Sequence, residues 1–170
     1  AIAARGLAVL PVHVLSAPLG RLLGVAARLG LYRTLQRAAQ TIDPSRGSAV
    51  RFVAVRRGEG AEFIKAEAGL GGAWLVAEYP AGPARSAFSL RPELTLWRDG
   101  HAAQLYRGEL SEVSPARPLP AAASSTVTAD WIGKVLRGVF PMPQPVVHIA
   151  AACLVAAGAV PDLNQARALA

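Results

Sequence analysis

The residues best able to do chemistry are scattered along the chain and form no local catalytic or metal-binding motif. The three histidines, His13, His101 and His148, lie in three different regions. None has a cysteine or a second histidine at a ligand spacing such as HxxxH or CxxC, which a metal ion needs when one helix or turn supplies its ligands. A metal or catalytic site would therefore have to be assembled by folding.

Carboxylates that could act as a general acid and base are dispersed in the same way. Sequence spacing alone does not pair them, so no acid/base couple is nominated. The six that we place in or near predicted strands are Glu62, Glu67, Glu78, Glu93, Glu109 and Glu112.

Motifs for a cofactor or a covalent intermediate are missing too. The glycine-rich run at 68–73 lacks the G-x-G-x-x-G spacing and the Lys-Ser/Thr ending of a P-loop, which favours a turn between strands. No G-x-S-x-G elbow occurs. Cys153, the only cysteine, lies among alanines, which favours an inert buried thiol. We therefore predict no catalytic residue, no metal and no cofactor.

Length and composition indicate one globular domain with a basic surface. A chain of 170 residues with 52% hydrophobic and 17% charged residues can bury a core and is not a disordered sequence. The formal charge of +7 comes almost wholly from arginine. A basic balance attracts phosphate backbones, anionic lipid head groups or an acidic protein partner.

The first 42 residues contain arginines but no carboxylate, and the first acidic residue is Asp43. Ser16 is placed to cap a helix with Pro18 in its first turn, and we predict that this amphipathic helix ends near Gln40. Its candidate interaction residues are the apolar Leu19, Leu22, Leu23 and Leu29 with the basic Arg21 and Arg28.

Three interpretations of this helix stay open. It packs on the core with solvated arginines, or it lies at a membrane interface where arginines meet anionic lipid. In the third, it is a remnant of an organellar targeting segment. The uncharged run at 6–20 is interrupted by prolines and is shorter than the ~18–20 residues that a transmembrane helix needs.

The middle of the chain has the composition of strands. Asp99-Gly100 between two strand-like runs is typical of a type I′ hairpin. We predict an antiparallel meander of about five or six strands, for which the candidate segments are 49–56, 61–67, 73–79, 86–90, 93–98 and 101–107.

Beyond this region, the segment 115–128 is rich in Pro and Ala and reads as a connector. A helical pair follows. Thr128 or Asp130 caps its first helix, the second runs over 146–160, and Asp162 caps a final turn. The predicted fold class is thus α+β in one domain, with a helical segment at 1–42, a β-rich region at 43–114, the connector at 115–128 and a helical region at 129–170.

The end of the chain, HIAAACLVAAG at 148–158 followed by AVPDLNQARALA at 159–170, is similar to the C-terminal tail of reductases related to saccharopine dehydrogenase. The similarity covers less than a fifth of the chain, and no dinucleotide-binding half precedes it. It implies a substrate or dimerisation domain of a dinucleotide-dependent reductase that lacks its own cofactor-binding half.

The cationic apolar start, the uncharged C-terminal helix and the missing reaction motifs favour another function. We predict a non-enzymatic accessory or assembly subunit that docks on a membrane complex or a membrane surface, in a bacterial inner membrane or a mitochondrion. Its partners are other protein subunits and an anionic membrane surface. The alternatives are an RNA-associated subunit of a ribonucleoprotein and the reductase domain.

Overall fold

The computed structural model describes residues 10–30, 32–43, 45, 47, 49–58, 60–80, 90–108 and 124–170. The chain divides into two compact units, Ala1–Ser48 and Ala49–Ala170, and each is described by itself.

The first unit contains three helices among its described residues: α1 (Val12–Leu15), α2 (Ala17–Arg28) and α3 (Tyr32–Gln40). Ser16 caps α2 as predicted, because its hydroxyl oxygen accepts a hydrogen bond from the Leu19 backbone N–H at 3.4 Å. The prediction of one continuous helix to Gln40 is wrong. Gly30 adopts a φ of +70°, a left-handed conformation that ends α2 before α3 begins.

The second unit is built on a sheet of four strands in the part of the chain that the structure describes. These are β1 (Arg51–Arg56), β2 (Ala73–Tyr79), β3 (Glu93–Arg98) and β4 (His101–Tyr106), in the spatial order β1-β2-β3-β4. β1 and β2 are parallel, and the other two pairs are antiparallel. The fold class α+β is confirmed, whereas the antiparallel meander of five or six strands is corrected to a mixed sheet.

The correction comes from the segment after β1, which we predicted as a second strand over 61–67. It forms the helix α4 (Ala61–Gly69), whose buried side chains Ala61, Ile64 and Ala68 recur at helical spacing. A parallel strand pair requires such a crossover, which a hairpin cannot supply. Of the candidate strand at 86–90, residues 86–89 lie outside the described residues, and Leu90 lies in a bend.

Helices cover both faces of the central strand β2, which is therefore buried on each side. Side chains alternate along β2, with Trp74 and Val76 facing α4 and Leu75 and Ala77 facing the helix α6 (Gln144–Ala156). The first core also contains Val53, Val55, Ala61, Ile64 and Ala68. The second also contains Leu94, Leu96, Ala152 and Ala156.

The C-terminal region forms three helices rather than the predicted pair: α5 (Ser125–Leu136), α6 and α7 (Leu163–Leu169). α5 begins before both predicted caps, Thr128 and Asp130, and the last part of the predicted connector is helical. Asp162 caps α7 as predicted, with its carboxylate accepting the backbone N–H groups of Asn164 and Gln165. The rest of the connector, from 115 to 123, lies outside the described residues.

Two further observations concern α6 and the membrane. α6 ends at Ala156, where the Arg98 side chain donates a 2.6 Å hydrogen bond to the Ala156 carbonyl oxygen and ties the helix to β3. No helix in the described ranges is both long enough and apolar enough to cross a membrane.

The hairpin between β3 and β4 is confirmed. Asp99 has a φ of 49° and Gly100 a φ of 81°, and both central residues of a type I′ turn require positive φ. A side chain at position 100 would also lack space, because its Cβ would lie 2.9 Å from the Gly69 carbonyl oxygen. The turn therefore joins the two strands and also packs closely against the end of α4.

We expect Gly100→Ala to lower the free energy of unfolding by about 2 kcal/mol or more, from backbone strain together with the contact to Gly69. The matched control is Gly138→Ala, because Gly138 has a φ of 74° and open space around a Cβ. Gly138→Ala should lower the free energy of unfolding by about 1–2 kcal/mol, from backbone strain alone. Chemical denaturation of both variants measures the difference, and equal losses would contradict the proposed contact.

Candidate functional site

A cleft of about 300 Å³ opens on the α4 face of the sheet. Strand register places its floor residues on one face, since Val76 of β2 pairs with Thr95 of β3, which pairs with Gln104 of β4. The cleft is lined by Lys65, Val76, Glu78, Glu93, Thr95, Trp97, Ala102 and Gln104. We call it the Glu78 cleft.

Its central charged group is Glu78, a carboxylate that is only 5% exposed. The Lys65 Nζ atom lies 2.6 Å from Glu78 Oε2, and the Arg57 Nε–H donates a 2.8 Å hydrogen bond to Glu78 Oε1. These two cations come from α4 and from the turn after β1. The buried carboxylate therefore joins the crossover to the central strand.

A second carboxylate lies directly across the strand pair. Glu93 of β3 is the register partner of Glu78, and its Oε2 is 3.6 Å from a terminal nitrogen of Arg57. Two like charges at opposed positions repel each other, and Arg57 compensates because it contacts both. Folding thus assembles the carboxylate pair that sequence spacing could not nominate.

Opposing effects act on the pKa of Glu78. Burial by itself raises it, but the hydrogen bonds from Lys65 and Arg57 and their positive charges outweigh burial and hold the pKa below its ordinary value. The same hydrogen bond raises the pKa of Lys65. Glu78 is therefore ionised near neutral pH and has no proton to donate, so the cluster acts as an ion-pair network and not as a general acid.

The sequence reasoning missed Lys65 and Arg57 as partners of Glu78. One signal was present, because Glu78 stands inside the otherwise apolar strand AWLVAEY, where a charge needs a partner. A strand at 61–67 would not place Lys65 near Glu78, since only a helix that crosses the face of the sheet brings the two together.

The two histidines of the second unit lie in different elements. His101 is exposed at the start of β4, as predicted, and His148 is buried in α6 with its ring centroid 4.8 Å from that of Tyr106. No group of His, Cys, Asp and Glu side chains within the described ranges is arranged to hold a metal ion. Cys153 is exposed rather than buried, although partial burial of its thiol raises the pKa and so keeps thiolate scarce.

The predicted interaction residues on α2 separate into two rows. The outer row is Leu22, Val25 and Leu29, which are 53%, 53% and 66% exposed. At about 100° per residue these three lie within about 60° of one another on the helix.

The inner row of α2 is Leu19, Leu23 and Ala26. Ala26 is buried, and the two leucines are half-buried. Arg21 and Arg28 are exposed and lie on the side of the outer row away from the inner one. The structure therefore gives the predicted stripe one covered half and one exposed half bordered by arginines.

No protein-family model matches the chain, and no curated protein is significantly similar to it. The similarity of residues 148–170 to the tail of the reductases accordingly stays a prediction.

The Glu78 network makes the stability of the second unit depend on pH. A lowered folded-state pKa means that the ion pairs contribute fully above the ordinary value of 4.5, and that this contribution is lost as the pH falls through the folded pKa. At pH 7 we expect Glu78→Gln to lower the free energy of unfolding by about 1–3 kcal/mol. The difference from the unmodified protein should shrink as the solution is acidified below pH 4.5.

Glu62→Gln is the matched control, because Glu62 is 87% exposed and 3.5 Å from the same Lys65. It should change stability by no more than about 0.5 kcal/mol. Urea denaturation of both variants between pH 3 and pH 7 makes the comparison. If Glu78→Gln lowers the free energy of unfolding by the same amount at every pH, the assigned role of the carboxylate is contradicted.

Proposed function

We propose that this protein is a non-enzymatic accessory subunit that docks on an anionic membrane surface through the outer row of α2. The observation that carries the proposal is the exposure of Leu22, Val25 and Leu29 beside Arg21 and Arg28. An apolar row with cationic side chains along its border is the arrangement of a helix that lies in a lipid interface.

Charge favours lipid as the occupant. The chain has no carboxylate before Asp43, so no acidic side chain in 1–42 repels anionic head groups. Arginine places its apolar stem along the acyl boundary and keeps its guanidinium among the phosphates. Val14 and Leu15 of α1, in the same unit, are also exposed. A basic protein partner would be repelled by the same arginines.

The expected affinity is modest. Full burial of a leucine or valine is worth about 1.5–3 kcal/mol, and roughly half of each outer-row side chain remains to be buried. Each arginine near an anionic surface adds about 1 kcal/mol. Together these contributions support reversible docking, as expected of a peripheral subunit, and not permanent anchoring.

The Glu78 cleft supports the accessory role. Its buried carboxylate, Glu78, is ionised and engaged by two cations, so it is not offered as a free acid. A cluster of this kind stabilises a fold or orders a surface, which is what an accessory subunit requires.

Replacing two outer-row residues, as in the double variant Leu22→Ser/Leu29→Ser, should weaken binding to vesicles that contain phosphatidylserine by roughly tenfold to a hundredfold. The thermal unfolding curve should stay unchanged, because both side chains are already more than half exposed. Co-sedimentation of the full chain with the vesicles measures binding, and circular dichroism measures unfolding.

The matched control is Val127→Ser/Leu136→Ser, which removes two apolar side chains of α5 that are 52% and 72% exposed. This variant should bind vesicles like the unmodified protein. Binding to vesicles and binding to single-stranded RNA are both measured across one salt series. Tight, salt-sensitive RNA binding without vesicle association would overturn the proposal in favour of an RNA-associated subunit. A protein that binds neither would overturn it too.

A further inference from the structure

The Glu78 cleft has the mixed lining of a small-molecule site. Its volume of about 300 Å³ lies at the lower end of the range that ligand pockets occupy. The apolar part of its lining comes from Val76, Ala102 and the Trp97 ring. The polar part includes Thr95 and Gln104, whose side chains form no hydrogen bond within the described ranges. A ligand in the cleft therefore meets apolar surface together with two open hydrogen-bonding groups.

An unpaired donor belongs to one end of this cleft. The indole N–H of Trp97 is buried, and it has no hydrogen-bond partner among the described residues. Atom Cζ3 of the same ring would lie 3.8 Å from a Cβ on Gly69, at the end of α4. The N–H is on the opposite side of the indole and so is directed away from the end of that helix. A buried donor without an acceptor is unfavourable, and an acceptor on a ligand removes the cost.

The other end of the cleft carries negative charge that is not fully balanced. Glu93 lies on the same face of β3 as Trp97, four residues earlier and about 13 Å away along the strand. Its side chain is 29% exposed, and its one ion pair in the described chain is the 3.6 Å contact with Arg57. Three carboxylates of the network share two cations, which leaves one negative charge: Glu62, Glu78 and Glu93 against Lys65 and Arg57.

These features select one class of ligand. An anion is repelled by the two opposed carboxylates, Glu78 and Glu93. A hard divalent cation takes six or more oxygen ligands, and no described side chains are grouped to hold a metal ion. An organic ammonium compound fits both parts of the lining, because its charge meets Glu93 and its apolar body covers Val76 and the Trp97 ring.

We propose that the Glu78 cleft binds a small organic amine with an apolar body. The ammonium group contacts the Glu93 carboxylate, and the body lies over Val76 and Ala102. A polar group at the far end of the body accepts a hydrogen bond from the Trp97 N–H. The ligand enters from the β4 side of the cleft, where Ala102 and Gln104 are exposed. The separation of Glu93 and Trp97 limits it to a molecule about as long as tyramine.

The indole signals of an isotope-labelled sample of the full chain test the site directly. The chain has three tryptophans, and Trp97→Phe identifies the Trp97 signal in the nuclear magnetic resonance spectrum. Tyramine should shift this signal in a saturable manner and leave that of Trp131, in α5, unmoved. The matched probe is para-hydroxyphenylacetate, which has a carboxylate in place of the ammonium group. It should bind at least about tenfold more weakly, because it brings a further negative charge to Glu93.

Two matched pairs of variants test the position of the ligand. Glu93→Gln should weaken tyramine binding about threefold to tenfold, whereas Glu67→Gln, which removes a carboxylate of α4 that does not line the cleft, should leave it unchanged. Ala102→Leu fills the cleft and should abolish the Trp97 shift. Ala103→Leu places the same side chain on the opposite face of β4 and should preserve it.

Circular dichroism confirms that each variant is folded, which we expect at 102 and 103 because both alanines are exposed. Three results would each overturn the proposal: no tyramine-dependent shift of the Trp97 signal, equal binding of the two probes, or equal effects of leucine at positions 102 and 103. None of these measurements involves vesicles, so the membrane proposal stands or falls separately.

Discussion

The second unit depends on the satisfaction of one buried charge. Glu78 lies in the central strand of the sheet, and a carboxylate removed from water there is stable only with cations and hydrogen bonds around it. Lys65 meets that need from the crossover helix and Arg57 from the turn after β1. The same contacts tie α4 to β2, and Arg57 also links Glu78 to Glu93 of β3. An ion pair that would be worth little at the surface thereby determines how a helix, a turn and two strands are joined.

The sheet around this network is asymmetric, and its covered and uncovered parts have different roles. β2 is buried by α4 on one face and α6 on the other, so its side chains form both cores. β4 lies beyond the cover of either helix along most of its length and keeps polar, small and uncharged side chains. The buried part of the sheet provides stability. The uncovered part provides the cleft, which would be lost if α4 covered the whole face.

The N-terminal unit differs from the second, because the apolar surface of α2 spans a wider arc than the rest of the N-terminal unit covers. Its inner row is covered and its outer row remains in contact with water, beside two arginines. Exposed leucine and valine cost free energy in solution, which a lipid interface removes.

The sequence by itself determined the features that depend on near neighbours. The Ser16 and Asp162 caps follow from side chains that bond to nearby backbone, and the Asp99-Gly100 hairpin follows from glycine's access to positive φ. The strand at 73–79 follows from its run of apolar, strand-favouring residues. Only the tertiary structure decided that 61–67 is a helix, because its composition suits either state and the choice comes from the parallel pairing of β1 and β2. It likewise brought Lys65 and Arg57 to Glu78 and divided the leucines of α2 into covered and exposed rows. Those outcomes depend on contacts between residues that are distant in the sequence, and the spacing of these residues along the chain does not predict the contacts.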